Sequence, residues 1–370
     1  MTDPPPDPDV TDPDAFAPDA PGPPPEHRVT DLLVVGGGPA GLAAAIHAAR
    51  AGLSVTVLEP RTTPIDKACG EGLMPGAVRA LERLGVDVEG RPFAGIRYLS
   101  ADGARTAEAR FRTGHGLGVR RTALHAALAD RAEQLGVHRL AARADGLQLT
   151  RHAVTVGGST ARHLIAADGL HSPVRRALGL HRPGPDRHPA RYGQRRHFSV
   201  RPWSDLVEVH WSRHAEAYVT PVADGTVGVA VLGTERLPYD RQLAAFPALL
   251  ERLGDAPAGP VRGAGPLRQR AGARVHGRVL LVGDAAGYLD ALTGEGVALA
   301  LASAEAAVRC LAAGRPAGYE RAWRRATRRY RLLTAALLAA RHHPRLGPRI
   351  VPLAAALPPL FGAAVNLLAR

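Results

Sequence analysis

The 370-residue sequence predicts an α/β protein in which a parallel-sheet domain is interrupted by an antiparallel sheet and followed by C-terminal helices. Three observations support this prediction. Residues 31–59 show the order strand, glycine-rich turn, helix and strand, which is typical of a parallel β-α-β unit. Residues 197–232 contain stretches in which apolar and polar residues alternate, as they do in antiparallel strands. Residues 321–330 carry separate basic and aromatic stripes at helical spacing.

Composition separates an N-terminal tail from a basic remainder. The first 27 residues hold ten prolines, seven acids and neither Lys nor Arg, so we expect a disordered tail over residues 1–28. The tail lacks the basic start and apolar run of a signal peptide, and we therefore expect a cytoplasmic protein. Without these acids the formal net charge rises from +13 to about +20. A basic balance can indicate nucleic acid, but these arginines are scattered along the chain, so we expect no nucleic-acid partner.

Cysteine and histidine spacing does not predict a metal site. Cys69 and Cys310 are far apart in the sequence and form no CxxC pair, and the sixteen histidines show no ligand spacing. The sequence therefore predicts reduced thiols and no metal.

The first β-α-β unit carries the strongest binding signal. An apolar run at residues 32–35 ends at Gly36, which begins the pattern G-x-G-x-x-G with Gly38 and Gly41. Glycine permits the tight turn, lets the backbone approach a pyrophosphate and lets the helix pack closely on the strand. Glu59 closes the second strand, where a carboxylate can accept hydrogen bonds from a ribose. The unit predicts a dinucleotide site, and the alternative is a glycine-rich turn in an ordinary β-α-β unit.

Two later segments narrow the choice of dinucleotide. Residues 164–176, LIAADGLHSPVRR, and residues 278–298, RVLLVGDAAGYLDALTGEGVA, each run from an apolar strand into an Asp-Gly or Gly-Asp pair. The three motifs in this order resemble the class A flavoprotein monooxygenase family, over roughly residues 30–315. Its superfamily includes the geranylgeranyl reductases and flavin-dependent halogenases. The resemblance implies a Rossmann-like FAD-binding domain with an inserted antiparallel-sheet substrate domain, as in the p-hydroxybenzoate hydroxylase-like fold.

The resemblance also assigns residues to non-covalent FAD. The glycine turn would hold the pyrophosphate, Glu59 the adenosine ribose, Arg121 the phosphates or ribityl region, and Asp284 the ribityl chain. Backbone N–H groups of residues 293–297 would face the flavin edge that becomes negative on reduction, where a helix N-terminus is favourable. The full set of expected FAD residues is Gly36, Gly38, Pro39, Ala40, Gly41, Glu59, Arg61, Lys67, Cys69, Gly70, Arg121, Asp168, Gly169, Gly283, Asp284, Gly294, Glu295, Gly296 and Val297.

The loop PIDKACGEGLMPG, residues 64–76, holds Lys67, the only lysine of the chain, together with Cys69. A metal site, a redox thiol and a loop that covers the cofactor are the alternatives for such a segment. In the resembled family a G-E-x-x-x-P-like loop lies across the flavin, and C-G-x-G-L-x-P is especially similar to the reductase branch. We therefore predict a covering loop, with an ordinary surface loop as the remaining alternative.

The interrupting sheet is predicted from strands at residues 93–100, 197–203, 207–212 and 216–232, with a hairpin turn at Asp224-Gly225. Glu208 and His210 share one face of their strand, so a cavity-facing pair is a candidate for acid–base work. The alternative is an ordinary half-exposed strand. Tyr218 is a candidate pocket-lining or catalytic residue.

The activity that the resemblance implies is an FAD-dependent oxidoreductase. We expect an NAD(P)H-driven monooxygenase that hydroxylates a hydrophobic or phenolic molecule, with NAD(P)H bound only transiently. The alternatives are a reductase or dehydrogenase of the geranylgeranyl reductase type and a flavin-retaining protein that binds membranes or acidic partners. The chain departs from the reductases by lacking Y-x-W-x-F-P before Pro221, and from many monooxygenases by having Ala291 where proline is frequent.

The last part of the chain predicts a helical cap. Arginines form one stripe of residues 321–330, which favours a surface helix and leaves contact with a membrane or an acidic partner as the alternative. The apolar end, IVPLAAALPPLFGAAVNLLA, is broken by prolines, so a single spanning helix is not expected. The predicted domains are an FAD-binding domain at 29–90, 110–188 and 265–315, a substrate sheet at 91–109 and 189–264, and a cap at 316–370.

Overall fold

The computed structural model describes residues 29–183 and 189–370. The tail expected over residues 1–28 lies outside the described residues. The predicted fold class is confirmed: a parallel sheet with helices packed on it adjoins a second, mainly antiparallel sheet, and helices end the chain.

The strands of the described residues are numbered in chain order. They are β1 (Thr30–Val35), β2 (Val55–Leu58), β3 (Gly72–Leu73), β4 (Arg91–Phe93), β5 (Gly95–Ser100), β6 (Thr106–Arg110), β7 (Gly116–Gly118), β8 (His138–Leu140), β9 (Gln148–Leu149), β10 (Val154–Val156), β11 (Ser159–Ala166), β12 (Tyr192–Phe198), β13 (Val207–Trp211), β14 (Ala215–Ala223), β15 (Thr226–Gly233), β16 (Arg262–Ala264), β17 (Val275–His276) and β18 (Val279–Leu281).

The helices are numbered in the same way. They are α1 (Pro39–Arg50), α2 (Pro75–Leu84), α3 (Arg121–Gln134), α4 (Pro173–Ala177), α5 (Tyr239–Leu243), α6 (Pro247–Leu253), α7 (Gly296–Ala312), α8 (Tyr319–His342), α9 (Ile350–Ala356) and α10 (Pro358–Leu368), with short 3₁₀ turns at Gly283–Ala286, Pro316–Gly318 and Gly347–Arg349.

The first sheet has the parallel order β18-β11-β1-β2-β8, extended by short antiparallel strands. Its central strands are apolar runs because both faces are covered. Helix α1 contacts α3 and α7, and its alanines at 43, 44, 45 and 48 are fully buried. Small side chains allow this close helix packing, so the carboxyl ends of the strands and the first turn of α1 are held rigidly together.

The second sheet has the order β16-β12-β15-β14-β13-β5-β6 and is antiparallel except for the β5–β13 pair. The predicted turn at Asp224-Gly225 joins β14 and β15. The strand predicted at 197–203 is wrong in its bounds, because β12 begins at Tyr192 and ends at Phe198. Its buried Arg195 pairs with Asp66, and its buried His197 contacts the Glu71 carboxylate, so the segment does not show the apolar alternation of a strand.

Helix α8 packs on α7 of the first domain, and the last two helices cap the second sheet. In α8, Trp323, Thr327 and Tyr330 are buried while the arginine stripe is exposed, as the surface-helix interpretation predicts. Helices α9 and α10 contact β6, and Pro358 starts α10. Among the described residues no single helix is long and apolar enough to cross a membrane; only the pair Gly347–Ala356 and Pro358–Leu368, bent by 104°, has the length and composition.

Candidate active site

A cavity of about 290 Å³ lies between the two sheets. One half is bounded by the glycine turn before α1, the loop before β3 and the first turn of α7. The other half is bounded by β13, β14, β15 and the inner face of α10. The structure therefore joins a polar, backbone-rich compartment directly to an apolar one.

The glycine turn has the shape that a pyrophosphate requires. Gly36 has φ +102°, and a Cβ there would lie 2.5 Å from the Ala167 carbonyl oxygen. A Cβ on Gly41 would lie 1.8 Å from the Gly36 oxygen. At Gly38, by contrast, a Cβ would meet no atom within 4 Å, because it would point into the cavity that Pro39 and Ala40 also line. Two glycines thus allow close packing, and the third keeps space open for a ligand.

Two buried side chains hold this turn. Glu59 accepts a hydrogen bond from the Gly37 N–H at 2.9 Å and pairs with Arg61 at 2.8 Å. Burial opposes ionisation of Glu59, but the hydrogen bonds from Arg61 and Gly37 outweigh it and lower the pKa of the carboxyl. His125 Nε2 contacts the Gly37 carbonyl oxygen at 2.9 Å. Arg61 lines the cavity, whereas Glu59 lies behind its wall.

The Asp-Gly and Gly-Asp segments are joined by Arg175, which is fully buried. Its guanidinium donates to the carbonyl oxygens of Leu170 at 2.8 Å, Ala285 at 3.0 Å and Asp284 at 3.3 Å. Asp168 accepts from the Val174 N–H at 2.9 Å, which fixes the turn into α4. Because of these bonds, the two segments that the sequence places far apart form one wall.

Asp284, Arg121 and Lys67 meet on that wall. Burial raises the pKa of Asp284, and the nearby Lys67, Arg175 and Arg121 oppose the increase. Within residues 29–183 and 189–370, Nη1 of Arg121 and Oδ1 of Asp168 are buried without a hydrogen-bond partner. An unsatisfied guanidinium beside the glycine turn fits the phosphates of a dinucleotide, because buried polar groups are normally paired.

The loop with Lys67, Cys69 and Gly70 lines the cavity, in the position predicted for a covering loop. Burial, reinforced by the Glu71 carboxylate, raises the pKa of the Cys69 thiol, which disfavours the thiolate that redox chemistry needs. Glu71 has φ +60°, an unusual backbone conformation for a residue other than glycine. Its carboxylate accepts from the Arg121 backbone N–H at 2.8 Å and contacts His197 Nε2 at 2.6 Å.

Gly294, just before α7, and Gly296 and Val297 of its first turn line the cavity. The side chain of Glu295 points away from it, into a separate small cavity lined by α8 residues such as Trp323 and Thr327. Both carboxyl oxygens lack a hydrogen-bond partner among the described residues, and burial raises the pKa of Glu295 to about 8. Only the backbone at Glu295 is therefore placed for the predicted cofactor contact. Gly169 lines the main cavity, and Gly283 lines the smaller one.

The apolar half of the cavity corrects one prediction. Val207 and Val209 face the cavity, so Glu208 and His210 face away from it. Both are buried, with Glu208 bound by Arg97 and Trp203, so neither the cavity-facing pair nor the half-exposed strand is right. The alternation of apolar and polar residues predicted one buried and one exposed face for β13, but other parts of the chain cover both faces of this strand.

Tyr218 lines the cavity as predicted, and its hydroxyl donates to the Leu292 carbonyl oxygen at 2.7 Å. Burial raises the pKa of Tyr218 well above its ordinary value. The hydroxyl is therefore protonated at neutral pH and fixes the segment before α7. The apolar half is otherwise formed by one set of side chains: Met74, Phe93, Ile96, Tyr98, Val207, Val209, Leu292, Val365 and Leu368.

The comparisons with known proteins agree with this architecture. A family model described as an FAD binding domain matches residues 29–242. The menaquinone reductase of Mycobacterium tuberculosis is 31% identical over 296 residues, which cover 72% of each chain. The chain belongs to the FAD-dependent oxidoreductase superfamily.

Other relatives of this oxidoreductase carry out different reactions. The digeranylgeranylglycerophospholipid reductase 1 of Methanothermobacter thermautotrophicus is 28% identical over 299 residues, covering 72% of this chain and 73% of the relative. The rifampicin monooxygenase of Streptomyces venezuelae is 29% identical over 314 residues, covering 74% and 62%. A flavoprotein/dehydrogenase from Cytophaga hutchinsonii shares the fold with a TM-score of 0.79 and 19% identity, covering 92% of both chains.

The residues of this oxidoreductase fit FAD. The open space at Gly38 and the unsatisfied guanidinium nitrogen of Arg121 suit a pyrophosphate, and Asp284 and Lys67 line the same cavity. When bound, FAD supplies two-electron transfer, and the chain supplies the position and the exclusion of water. Sequence reasoning missed His125, Glu71 and Arg195; Glu71 stands in the quoted loop, but its partners come from distant elements.

Proposed function

We propose that the protein is an FAD-dependent reductase that uses NAD(P)H to saturate a carbon–carbon double bond of an apolar, isoprenoid-type substrate. The observation that carries the proposal is the apolar half of the cavity. Its walls are mainly aliphatic and aromatic, and Tyr98 and Tyr218 line it among them. Burial raises the pKa of both tyrosines, so neither is suited to remove a proton from a phenol at neutral pH.

The relatives support the same reading. The menaquinone reductase and the digeranylgeranylglycerophospholipid reductase match most of this chain, and both names describe reductases. The proposal thus favours reduction over the hydroxylation that we expected from the motifs.

The reaction balances without oxygen. The substrate loses one C=C bond and gains two C–H bonds. NAD(P)H is oxidised to NAD(P)⁺ and, with one proton from solvent, provides the two hydrogens. The chain holds the hydrocarbon on Val207, Val209 and Leu292, which keeps water away from the double bond.

The second candidate is an NAD(P)H-driven monooxygenase, as first expected from the motifs. The similarity to rifampicin monooxygenase over 314 residues favours it. The two candidates differ in their need for oxygen and in the product mass, because reduction adds two hydrogens and hydroxylation adds one oxygen atom.

The test is an anaerobic incubation of the FAD-loaded protein with NADH or NADPH and a polyprenyl quinone, followed by mass spectrometry. A parallel reaction contains oxygen. Because reduction of the quinone ring to the quinol also adds two hydrogens, the products are reoxidised to the quinone before mass spectrometry. A product that forms without oxygen and remains heavier by two hydrogens after this reoxidation supports the reductase. A product that forms only with oxygen and contains an oxygen atom from O₂ overturns the proposal in favour of the monooxygenase.

A further inference from the structure

The charged side chains of the C-terminal segment are all positive. Residues 321–370 contain ten arginines and neither aspartate nor glutamate. Arg345, Arg349 and Arg370 are exposed and flank the two last helices. The segment is therefore complementary to a negatively charged surface.

Between these arginines lies an exposed apolar segment, residues 353–360, which we name the apolar tip. Residues 350–365 contain no polar side chain, and all of residues 355–360 are exposed. Leu357 and Leu360 are 48% and 65% exposed. The tip is the bend between α9 and α10, so it forms a projecting corner rather than a groove. Contiguous apolar surface of this kind, bordered by charge, marks an interaction site.

The tip is attached to a fixed base. The Asn366 amide donates to the Arg110 carbonyl oxygen at 3.0 Å and accepts from the Arg112 N–H at 2.7 Å. Phe361 and Val365 pack against β6. Val365 and Leu368 also line the main cavity, so α10 has one face on the cavity and one end at the tip.

We propose that the apolar tip inserts into the interface of an anionic lipid bilayer, with the flanking arginines at the level of the phosphates. A projecting apolar corner with arginines and no acids matches the chemistry of that interface, where apolar side chains enter the acyl boundary and cations contact the headgroups. A second copy of the chain would bring equal positive charge to the contact, which disfavours that occupant. In this orientation α10 stands between the bilayer and the apolar cavity, a consequence that rests on the proposed function.

The test uses full-length, FAD-loaded protein and flotation with vesicles. The vesicles contain phosphatidylcholine alone or phosphatidylcholine with phosphatidylglycerol, and no substrate is present. We expect binding to the anionic vesicles that weakens with salt. The double variant Leu357→Gln/Leu360→Gln should lose roughly tenfold or more in affinity. Leu250→Gln changes a leucine of α6 that is 40% exposed and should leave binding unchanged.

Charge and depth are tested separately. Arg345→Gln/Arg349→Gln should weaken binding to anionic vesicles, whereas Arg151→Gln, an exposed arginine of the first domain, should not. Leu360→Trp should show a blue-shifted emission on vesicle addition and quenching by a brominated lipid. FAD content confirms folding of each variant.

The absence of vesicle binding, or equal loss in the tip and Leu250 variants, would overturn the proposal. So would a tip-dependent dimer in sedimentation velocity without vesicle binding, because that result assigns the tip to a second copy. The flotation assay needs no turnover, and the reduction assay uses substrate dispersed in detergent instead of vesicles. A failure of vesicle binding therefore does not contradict the proposed function, and a failure of the reduction assay does not contradict membrane binding.

Discussion

At the scale of the residue, a side chain at Gly38 would occupy space expected for FAD without clashing with any protein atom. Its backbone is extended, with φ −76° and ψ −178°, so valine fits the conformation, and the added atoms would point into the cavity. We expect Gly38→Val to fold and to lose FAD binding. Gly362→Val in α10, which also meets open space, is the matched control. Titration of the apoproteins with FAD measures the difference; wild-type affinity in Gly38→Val would contradict the assigned site.

Glu295 is a residue whose ionisation should lower stability. Burial raises its pKa from 4.5 to about 8, although Arg329 opposes the shift. Between these values the unfolded chain releases the proton and the folded chain keeps it, so the free energy of unfolding falls by up to about 1.4 kcal/mol per pH unit as pH rises. This contribution is fully present below about pH 4.5 and is lost above about pH 8.

Glu295→Gln mimics the protonated form and should remove this dependence. We expect the variant and the wild type to have similar free energies of unfolding near pH 4, and the variant to be more stable by several kcal/mol, as an order of magnitude, near pH 9. Glu305→Gln, which changes an α7 side chain that is 45% exposed, is the control. Urea unfolding at a series of pH values gives the curves, and parallel curves for wild type and Glu295→Gln would refute the assignment.

At the scale of the element, the loop before β3 is distinguished by its thiol and its cation. If Cys69 only covers the flavin, Cys69→Ser should keep FAD bound and its reduction by NAD(P)H largely intact. Lys67→Ala removes a cation beside Asp284, and it should lower the reduction potential of the flavin because the reduced flavin is negatively charged. A loss of about 1 kcal/mol in the stabilisation of the reduced flavin corresponds to a decrease of roughly 20 mV for a two-electron couple. Dye-linked titrations and stopped-flow reduction measure both. Activity lost in Cys69→Ser with FAD still bound would indicate a catalytic thiol.

A buried ionic cluster joins four segments of the chain: the residue before β12, β14, the loop before α7, and α8. Arg191 pairs with Glu216 of β14 at 2.5 Å and with Asp290, before α7, at 3.0 Å, and Glu216 also pairs with Arg341 of α8. Arg191→Met would leave buried carboxylates short of a cation and should cost about 3–5 kcal/mol. Arg196→Met removes a pair whose partner, Asp240, is 78% exposed, and should cost at most about 1 kcal/mol. Equal midpoints in urea for the two variants would argue against the cluster.

At the scale of the whole molecule, we expect FAD to stabilise the folded state because it would contact segments that are distant in the sequence. Its site takes residues from the glycine turn, α3, the Asp-Gly segment and the start of α7. A ligand that binds only the folded state adds about 2.7 kcal/mol at a hundredfold excess over its Kd. We therefore expect FAD removal to lower Tm in calorimetry and re-addition to restore it, whereas riboflavin, which lacks the pyrophosphate, should restore little. Denaturation should release free FAD; flavin retained on the denatured chain would contradict a non-covalent site.

The sequence alone determined the first β-α-β unit, the three motifs of the FAD-binding domain and the loop with Lys67 and Cys69, which lines the cavity and whose role as a flavin cover stays a prediction. These features depend on local requirements, such as a glycine where a Cβ would strike the Ala167 oxygen, and a local requirement leaves a residue type at a fixed spacing. The hairpin at Asp224-Gly225 was predictable for the same reason.

Only the tertiary structure decided which faces meet the cavity and which charges are paired. Alternation marked Glu208 and His210 as one face of β13, but the packing of α10 and the sheet put Val207 and Val209 on the cavity side. Arg195 and His197 of β12 lie more than a hundred residues from Glu71, and they pair with it only because β12 lies beside the loop before β3. Ion pairs and cavities form between residues that are distant in the sequence and close in space, and the spacing of residues along the chain does not indicate which of them will meet.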